Sequence, residues 1–334
     1  MTTFKEIRGT AIESVSSDPS NPEVGQIWYN NTIGVLKGYQ LVSIPGAWAS
    51  GGNMGTGRYD GAGSGTQTAA LSYGGNDPGG VTSATEKYDG TSWSPTGSLG
   101  TARSGIASFG TQTASIAAGG YAGSPPGISN VETFNGTSWT STTGLPSARQ
   151  GAEGLGTQTA GIANGGQTAN TPLATTVELW NGTSWTSGSA NPARGGGGAA
   201  AVGTQTAGLV FAGTPSTVTS EYDGSTWTAG GNLNTGRGGP IGGGTQTAGL
   251  CAGGGPAPAA NIPATELYDG TSWTSTPATL GTPVDSAGYG NASTQSASIG
   301  FGGRPASSAG TPSTVTQEYT GAYTTNMVKK ITTS

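Results

Sequence analysis

From about residue 48 onward the chain is a succession of short runs in which apolar and small residues alternate, broken every few positions by Gly, Asn or Asp. Period-two alternation over four to eight residues between turn formers predicts β-strands. One stretch shows the grammar. Ala102-Arg103-Ser104-Gly105-Ile106-Ala107-Ser108-Phe109 predicts a strand, Gly110-Thr111-Gln112 a turn, and Thr113 to Gly120 a second strand. After a variable loop, Val131-Glu132-Thr133-Phe134 predicts a third strand and Trp139-Thr140-Ser141-Thr142 a fourth. Asn135-Gly136 between them reads as a two-residue hairpin turn, since both central residues of a type I′ turn need positive φ. The second strands place Ala69/Leu71/Tyr73, Ala114/Ile116/Ala118, Ala207/Leu209/Phe211 and Ala297/Ile299/Phe301 on one face. Small residues such as Ser115, Ala117 and Gly208 fill the other. Such strands suit sheets packed tightly on both sides.

The four-strand unit repeats. Thr-Gln-Thr, or a near copy, begins at Thr66, Thr111, Thr157, Thr204, Thr245 and Thr294. A Trp follows an Asp/Asn-Gly turn at Trp93, Trp139, Trp185, Trp227 and Trp273, at spacings of 42 to 46 residues. Trp48 precedes the first copy, and Tyr323 takes the Trp place after the last. A period of this length means a propeller or a solenoid, and four antiparallel strands per period mean propeller blades. The expected fold is all-β: a six-bladed β-propeller over residues 48–326, with a short N-terminal β-hairpin leader over 1–47 and a tail over 327–334. Thr320-Gly321 is expected to turn the last blade's own chain into its outer strand, with Trp48 closing the ring from the N-terminus as the alternative.

Within each repeat a Glu, an aromatic, an Asp/Asn-Gly, a Trp, an Arg and a Gly-Gly recur in order, as at Glu132, Phe134, Trp139, Arg149, Gly165 and Gly166, and again at Glu266, Tyr268 and Trp273. This pattern resembles the kelch repeat over roughly residues 48 to 326. It departs at Ala212-Gly213, which stands for Gly-Gly, and in the sixth repeat, where Asp285 falls near the expected Arg.

Composition narrows the functions. Gly is abundant, at 64 residues, but periodic, so the ring is preferred to disorder. The net charge is −5 with no basic cluster, so nucleic acid is not an expected partner. With no His and one Cys, the chain has no intramolecular disulfide, no His-based metal site and no Ser-His-Asp triad. No cofactor or metal is expected. Cys251 sits in a strand position filled by Val210, Ala117 or Ser72 in sister repeats and reads as a buried core residue. Glu86, Glu132, Glu178, Glu221, Glu266 and Glu318 recur once per blade, and Arg58, Arg103, Arg149, Arg194 and Arg237 nearly do. Repetition in every blade reads as structural ion pairing; catalysis needs a break in the symmetry. Asp77, Glu153 and Asp285 show no spacing that argues for a catalytic carboxylate pair, and copper-oxidase chemistry of a kelch-like kind would need His ligands. The Asn-Gly-Thr sequons at Asn135 and Asn181 read as turns. No segment is apolar and long enough to span a membrane, and the N-terminus has no apolar signal region.

The loops from second to third strand differ in every blade, and they share a rim with the connections between blades. The opposite rim carries uniform hairpins. Recognition is therefore expected on the variable rim, at Asp77, Tyr121, Pro125, Gln167, Thr214, Pro256 and Arg304. The low charge of these loops suits a glycan or a protein surface. In the leader, Gly25-Gln26-Ile27-Trp28-Tyr29-Asn30-Asn31-Thr32-Ile33-Gly34-Val35-Leu36-Lys37 reads as a hairpin. It resembles a hairpin of tail, fibre and other structural proteins of bacteriophages, particularly marine ones. That resemblance implies a virion protein made in the host cytoplasm, anchored to other virion proteins through Ile27, Trp28, Tyr29, Val35 and Leu36. A lone hairpin is not stable in water, so it docks on the ring, on a second copy or on a larger particle. The expected function is non-enzymatic display of the propeller, with a bacterial surface lectin or a carboxylate glycosidase as alternatives.

Overall fold

The computed structural model describes residues 12–125, 127–169, 174–192, 197–213, 216–255, 261–305 and 311–331. They divide into two compact units, Gly46–Gly321 and the pair of segments Met1–Pro45 and Ala322–Ser334.

In Gly46–Gly321 six four-stranded antiparallel sheets follow one another. Blade 2 is typical: Ala107–Gly110 is innermost, followed outward by Ser115–Ala118, Val131–Phe134 and Trp139–Thr142. The innermost strands of blades 1 to 6 are Ala62–Thr66, Ala107–Gly110, Glu153–Thr157, Ala199–Thr204, Ile241–Thr245 and Gly288–Tyr289. Each neighbours the next around a closed circle, the geometry of a β-propeller. The expected first strand of blade 2 is shorter than the alternation suggested. Gly105 at φ 59° forces a turn, so pairing starts only at Ala107. The Asn135-Gly136 hairpin is also corrected. Phe134 pairs with Trp139, which leaves a four-residue loop in which only Gly136 has positive φ. Asn135 Oδ1 accepts the amides of Thr137 (3.0 Å) and Ser138 (2.9 Å), so a side chain supplies the turn's acceptor.

The second strands are buried on both faces, as Ala70, Leu71, Ser72 and Tyr73 show in blade 1. What fills the space between blades is the Trp that opens each outermost strand. Trp139 packs on Phe134 of its own blade and on Tyr73 of blade 1, at ring-centroid distances of 5.0 and 4.7 Å. Its indole N–H donates to Thr85 Oγ1 of blade 1 (3.0 Å). Trp93, Trp273 and Trp48 repeat that bond to Thr316, Thr219 and Thr265.

This explains the ring closure, where the favoured expectation is corrected. The outer strand of blade 6 is Ala47–Ser50 from the N-terminal side, paired with Thr316–Thr320. Trp48 stacks on Tyr319 at 5.3 Å and carries the indole N–H that the Thr265 hydroxyl requires, which Tyr323 lacks. Tyr323–Lys330 instead pairs with Val35–Ile44 of the leader, across the 326/327 limit expected from the repeat.

Thr-Gln-Thr, the most uniform marker, is a staple. Gln158 Nε2 donates to Ser115 O (3.1 Å) and Phe134 O (2.7 Å) of the preceding blade, and Gln67, Gln112, Gln205, Gln246 and Gln295 do the same. The Arg–Glu pairs are buried struts within a blade: Arg103–Glu132 at 2.7 Å, Arg149–Glu178 at 3.0 Å, and Arg58–Glu86 and Arg237–Glu266 likewise. Two of the six glutamates are not part of this set. Glu221 and Glu318 stand one residue later in their strands, so the pleat turns them to the other face. There they accept the hydroxyls of Tyr268 and Tyr88 from the next blade. Ser220 and Gln317 take the strut position in those blades, and in blade 6 Val284 takes the place of the Arg. Arg194 lies outside the described residues. Cys251 is buried as expected, and burial pushes its thiol up to about 12.

The second unit is a sheet of Glu13–Val15, Ile27–Asn30, Val35–Ile44 and Tyr323–Lys330, in that order, the first pair parallel. Trp28 is fully buried. Its indole N–H, the Asn30 amide and the Lys37 ammonium all point to Asp18, at 3.2, 2.9 and 2.6 Å.

Candidate functional site

Each blade of the propeller is preceded by a lead-in turn whose last residue is left-handed: Asp60 (φ 50°), Gly105 (59°), Gly151 (61°), Gly198 (72°), Gly239 (64°) and Ser286 (53°). Glycine is the easy choice at such φ, and Asp is tolerated. These turns are joined blade to blade. Gly105 N donates to Asp60 O (2.9 Å), Gly151 N to Gly105 O (2.8 Å), Ser286 N to Gly239 O (2.9 Å) and Asp60 N to Ser286 O (2.9 Å). The Gly-Gly after the second strand, Ala212-Gly213 in blade 4, fits the same belt. Gly75 N donates to Arg103 O and Gly120 N to Arg149 O.

Inside the belt lies an axial cavity of about 760 Å³. Glycines of the lead-in turns and first strands form much of its wall, among them Gly61, Gly105, Gly151 and Gly198. The side chains come from the residue before each left-handed position (Tyr59, Gln150) and from the starts of the variable loops (Asn76, Tyr121, Gln167, Arg304). Gln150 Nε2 donates to Gln167 Oε1 at 2.8 Å, and Gln150 Oε1 is buried without a partner. Arg304 pairs with Asp285 at 2.9 Å, donates to Ser286 Oγ and lies 4.9 Å from the centroid of the Tyr59 ring. Glu153, deeper in the wall, accepts from Asn164 Nδ2 (3.1 Å). Burial lifts the Asp60 carboxyl above its ordinary range, against the hydrogen bond from Ser286 and the charge of Arg304. Among the described residues no three His, Cys, Asp or Glu side chains come together as metal ligands would.

Blade 6 breaks the symmetry. In the other blades the Thr of the staple stands six positions after the left-handed residue; Thr294 stands eight after Ser286. The two extra residues push 289–293 across the axis. Asn291 Nδ2 reaches Ser108 O of blade 2 (2.7 Å), and Ala292 N reaches Gly65 O of blade 1 (3.0 Å). Ser293 O accepts Gly244 N of blade 5 (3.0 Å), and the Tyr289 hydroxyl donates to Ala201 O of blade 4 while accepting Ala201 N (2.9 Å). A segment bonded to four other blades plugs the channel, and the cavity becomes a funnel open at the variable rim.

Of the residues expected at the site, Tyr121, Gln167 and Arg304 line the funnel. Asp77 does not: it belongs to a small hairpin, Asn76–Asp77 with Gly80–Val81, and its carboxylate accepts Gly79 N (2.7 Å). Pro125 is exposed away from the funnel. Thr214 and Pro256 lie outside the described residues. The missed contributors are Tyr59 and Gln150, one residue before the left-handed position, and the plug; Asp285, at the same place in blade 6, acts only through its pair with Arg304. The signal for the plug was countable, in the longer spacing before Thr294. In the leader, Ile27, Val35 and Leu36 are half-buried and Tyr29 is exposed, whereas Trp28 is spent inside its own sheet and offers no surface.

No protein-family model matches the sequence, and no curated protein matches it. Among solved structures, the chain is similar to one described as "Structure of YjhT", with a TM-score of 0.67 and 14% identity over 82% of this chain and 99% of that one. The fold is a β-propeller. At that identity the likeness shows the propeller architecture alone.

Proposed function

We propose that the chain is a non-enzymatic surface protein of a phage virion, a kelch-type propeller held on the particle by the leader's sheet and displayed for recognition. The observation that carries this is where apolar surface is left uncovered. Among the described residues every exposed large hydrophobic side chain lies in the leader's unit, including Val24, Ile33, Leu41, Tyr323 and Met327. Leu41 keeps 58% of its surface exposed. Apolar surface concentrated in one small sheet marks an interaction site, while the polar propeller is built to face water. The partners are other virion proteins at the leader, or a further copy of the chain, and a host glycan or protein at the variable rim.

The test is immunogold microscopy of purified particles with an antibody to the propeller. Labelled particles are expected. Leu41→Ser with Met327→Ser should release the protein from particles while leaving its circular dichroism unchanged. Antigen found free in the lysate and absent from particles would sink the proposal.

A further inference from the structure

We infer that the axial funnel seats the ligand of the recognition module, and that this ligand is an uncharged, hydroxyl-rich sugar, the end of a glycan chain. The inference rests on reading the propeller as a recognition module.

Shape is the first argument. A cavity of about 760 Å³ closed at one end by the blade 6 plug holds a ligand, whereas an open channel would pass one. It falls within the range of roughly 300–1,000 Å³ typical of small-molecule sites. Charge is the second. Arg304 is the only Lys or Arg among the described lining residues, and it is committed to Asp285 and to the face of Tyr59. Among the described lining residues an anionic ligand would find no unpaired cation. The two carboxylates in the lining are engaged as well, Asp60 by the hydrogen bond from Ser286 and the charge of Arg304, and Glu153 by Asn164 Nδ2, so a cationic ligand would have to displace those partners. Hydrogen bonding is the third. The Gln150–Gln167 amide pair spends one donor and one acceptor on each other and retains an acceptor, Gln150 Oε1, that has no partner. A buried acceptor without a partner is costly, and a ligand hydroxyl, which both donates and accepts, satisfies it once the Gln150 amide turns toward the funnel. Amides and backbone groups around a flat ring such as Tyr121 suit a pyranose, which presents hydroxyls at its edge and C–H groups on its faces. A purely apolar ligand would leave those polar groups unsatisfied.

The full-length protein is applied to an array of neutral and charged glycans, and the best binder is titrated by calorimetry. Binding to a neutral glycan is expected. Tyr121→Ala and Gln167→Ala should each weaken it several-fold to about tenfold, the scale of one aromatic contact or hydrogen bond. Asp77→Ala, on the same rim but outside the funnel, should leave it unchanged. Unfolding midpoints of all three variants check that the ring is intact. Equal affinity in Tyr121→Ala and Gln167→Ala would place the sugar elsewhere and overturn the inference. Binding only to charged glycans, or to none, would overturn it as well. The particle-labelling experiment reads the virion role separately: labelled particles with no neutral-sugar binding leave the proposed function standing, and funnel-dependent sugar binding without labelled particles removes only the virion role.

Discussion

At the scale of single residues, the six left-handed positions around the axis separate conformational cost from crowding. A Cβ built on Gly151 would meet nothing within 4 Å, so Gly151→Ala should cost the left-handed penalty alone, about 1 kcal/mol. At Gly105 the same atom would stand 3.1 Å from Gly151 N, and Gly105→Ala should cost more. Chemical denaturation of the two variants reads the difference. The indole bonds offer a second test. Trp227 Nε1 is buried without a partner, and the position that supplies a Thr hydroxyl to four of its sisters is Val177 in blade 3. Val177→Thr should therefore stabilise the ring by about 1 kcal/mol, the net worth of a hydrogen bond. Valine-to-threonine in a core ordinarily has the opposite sign, and Val210→Thr should lose about 1 to 3 kcal/mol. A Val177→Thr variant as weak as Val210→Thr would mean the hydroxyl fails to reach the indole.

At the scale of the blade, the Arg–Glu strut behaves as one unit. Burial lowers the pKa of Arg58, Arg103 and Arg149, and the facing glutamate works against that shift. Removing one charge leaves the other stranded, so Glu132→Gln should destabilise the protein by about 3 kcal/mol. Blade 6 carries neither charge, with Val284 and Gln317 in the two places, so Arg103→Val added to Glu132→Gln should recover much of the loss. A denaturation double-mutant cycle measures that coupling. The hairpins on the uniform rim respond to acid. Hydrogen bonds from Thr91 and Ser92 hold the Asp89 carboxyl at about 2, and those from Ser272 and Thr271 hold Asp269 at about 2. Because the folded pKa is depressed, the stabilisation is present above the ordinary carboxylate range near pH 4 and is lost as pH falls toward 2. Asn135 and Asn181 fill the same role without charge, so Asp89→Asn with Asp269→Asn should keep the fold and reduce the fall of the denaturation midpoint over that window, leaving the share that Asp223 carries in the blade 4 hairpin. At this scale the sequence was readable because Trp, Thr-Gln-Thr and Gly-Gly each satisfy a need that recurs in every blade. The strut register was not, because Glu221 and Glu318 lie one residue from their sisters, and in a strand one residue reverses the face.

At the scale of the whole molecule, the ring and its six repeats were legible and the closure was not. Trp48 and Tyr323 both follow turn-forming residues, and only the indole's bond to Thr265 decides between them. The funnel was half-legible. Divergent loops pointed to its rim, but Tyr59 and Gln150 are single variable positions inside a repeating frame, and the plug shows only as a spacing. Ile44 lies opposite Tyr323 in one sheet and Ala47 opposite Thr320 in another, so the two ends of the ring's chain are paired twice in succession. Truncation after Ala322 removes the first pairing and spares every blade. It should lower the unfolding midpoint and speed unfolding, read by stopped-flow fluorescence of the blade tryptophans; unchanged kinetics would mean the outer pairing adds nothing to the ring. That double pairing also governs how the protein bears tension. A pull on the leader enters blade 6 by two neighbouring strands, directly through Ala47–Ser50 and across the eight-pair ladder into Thr316–Thr320. The load is shared between both straps of a harness, and the ladder has to shear before one strand carries it alone.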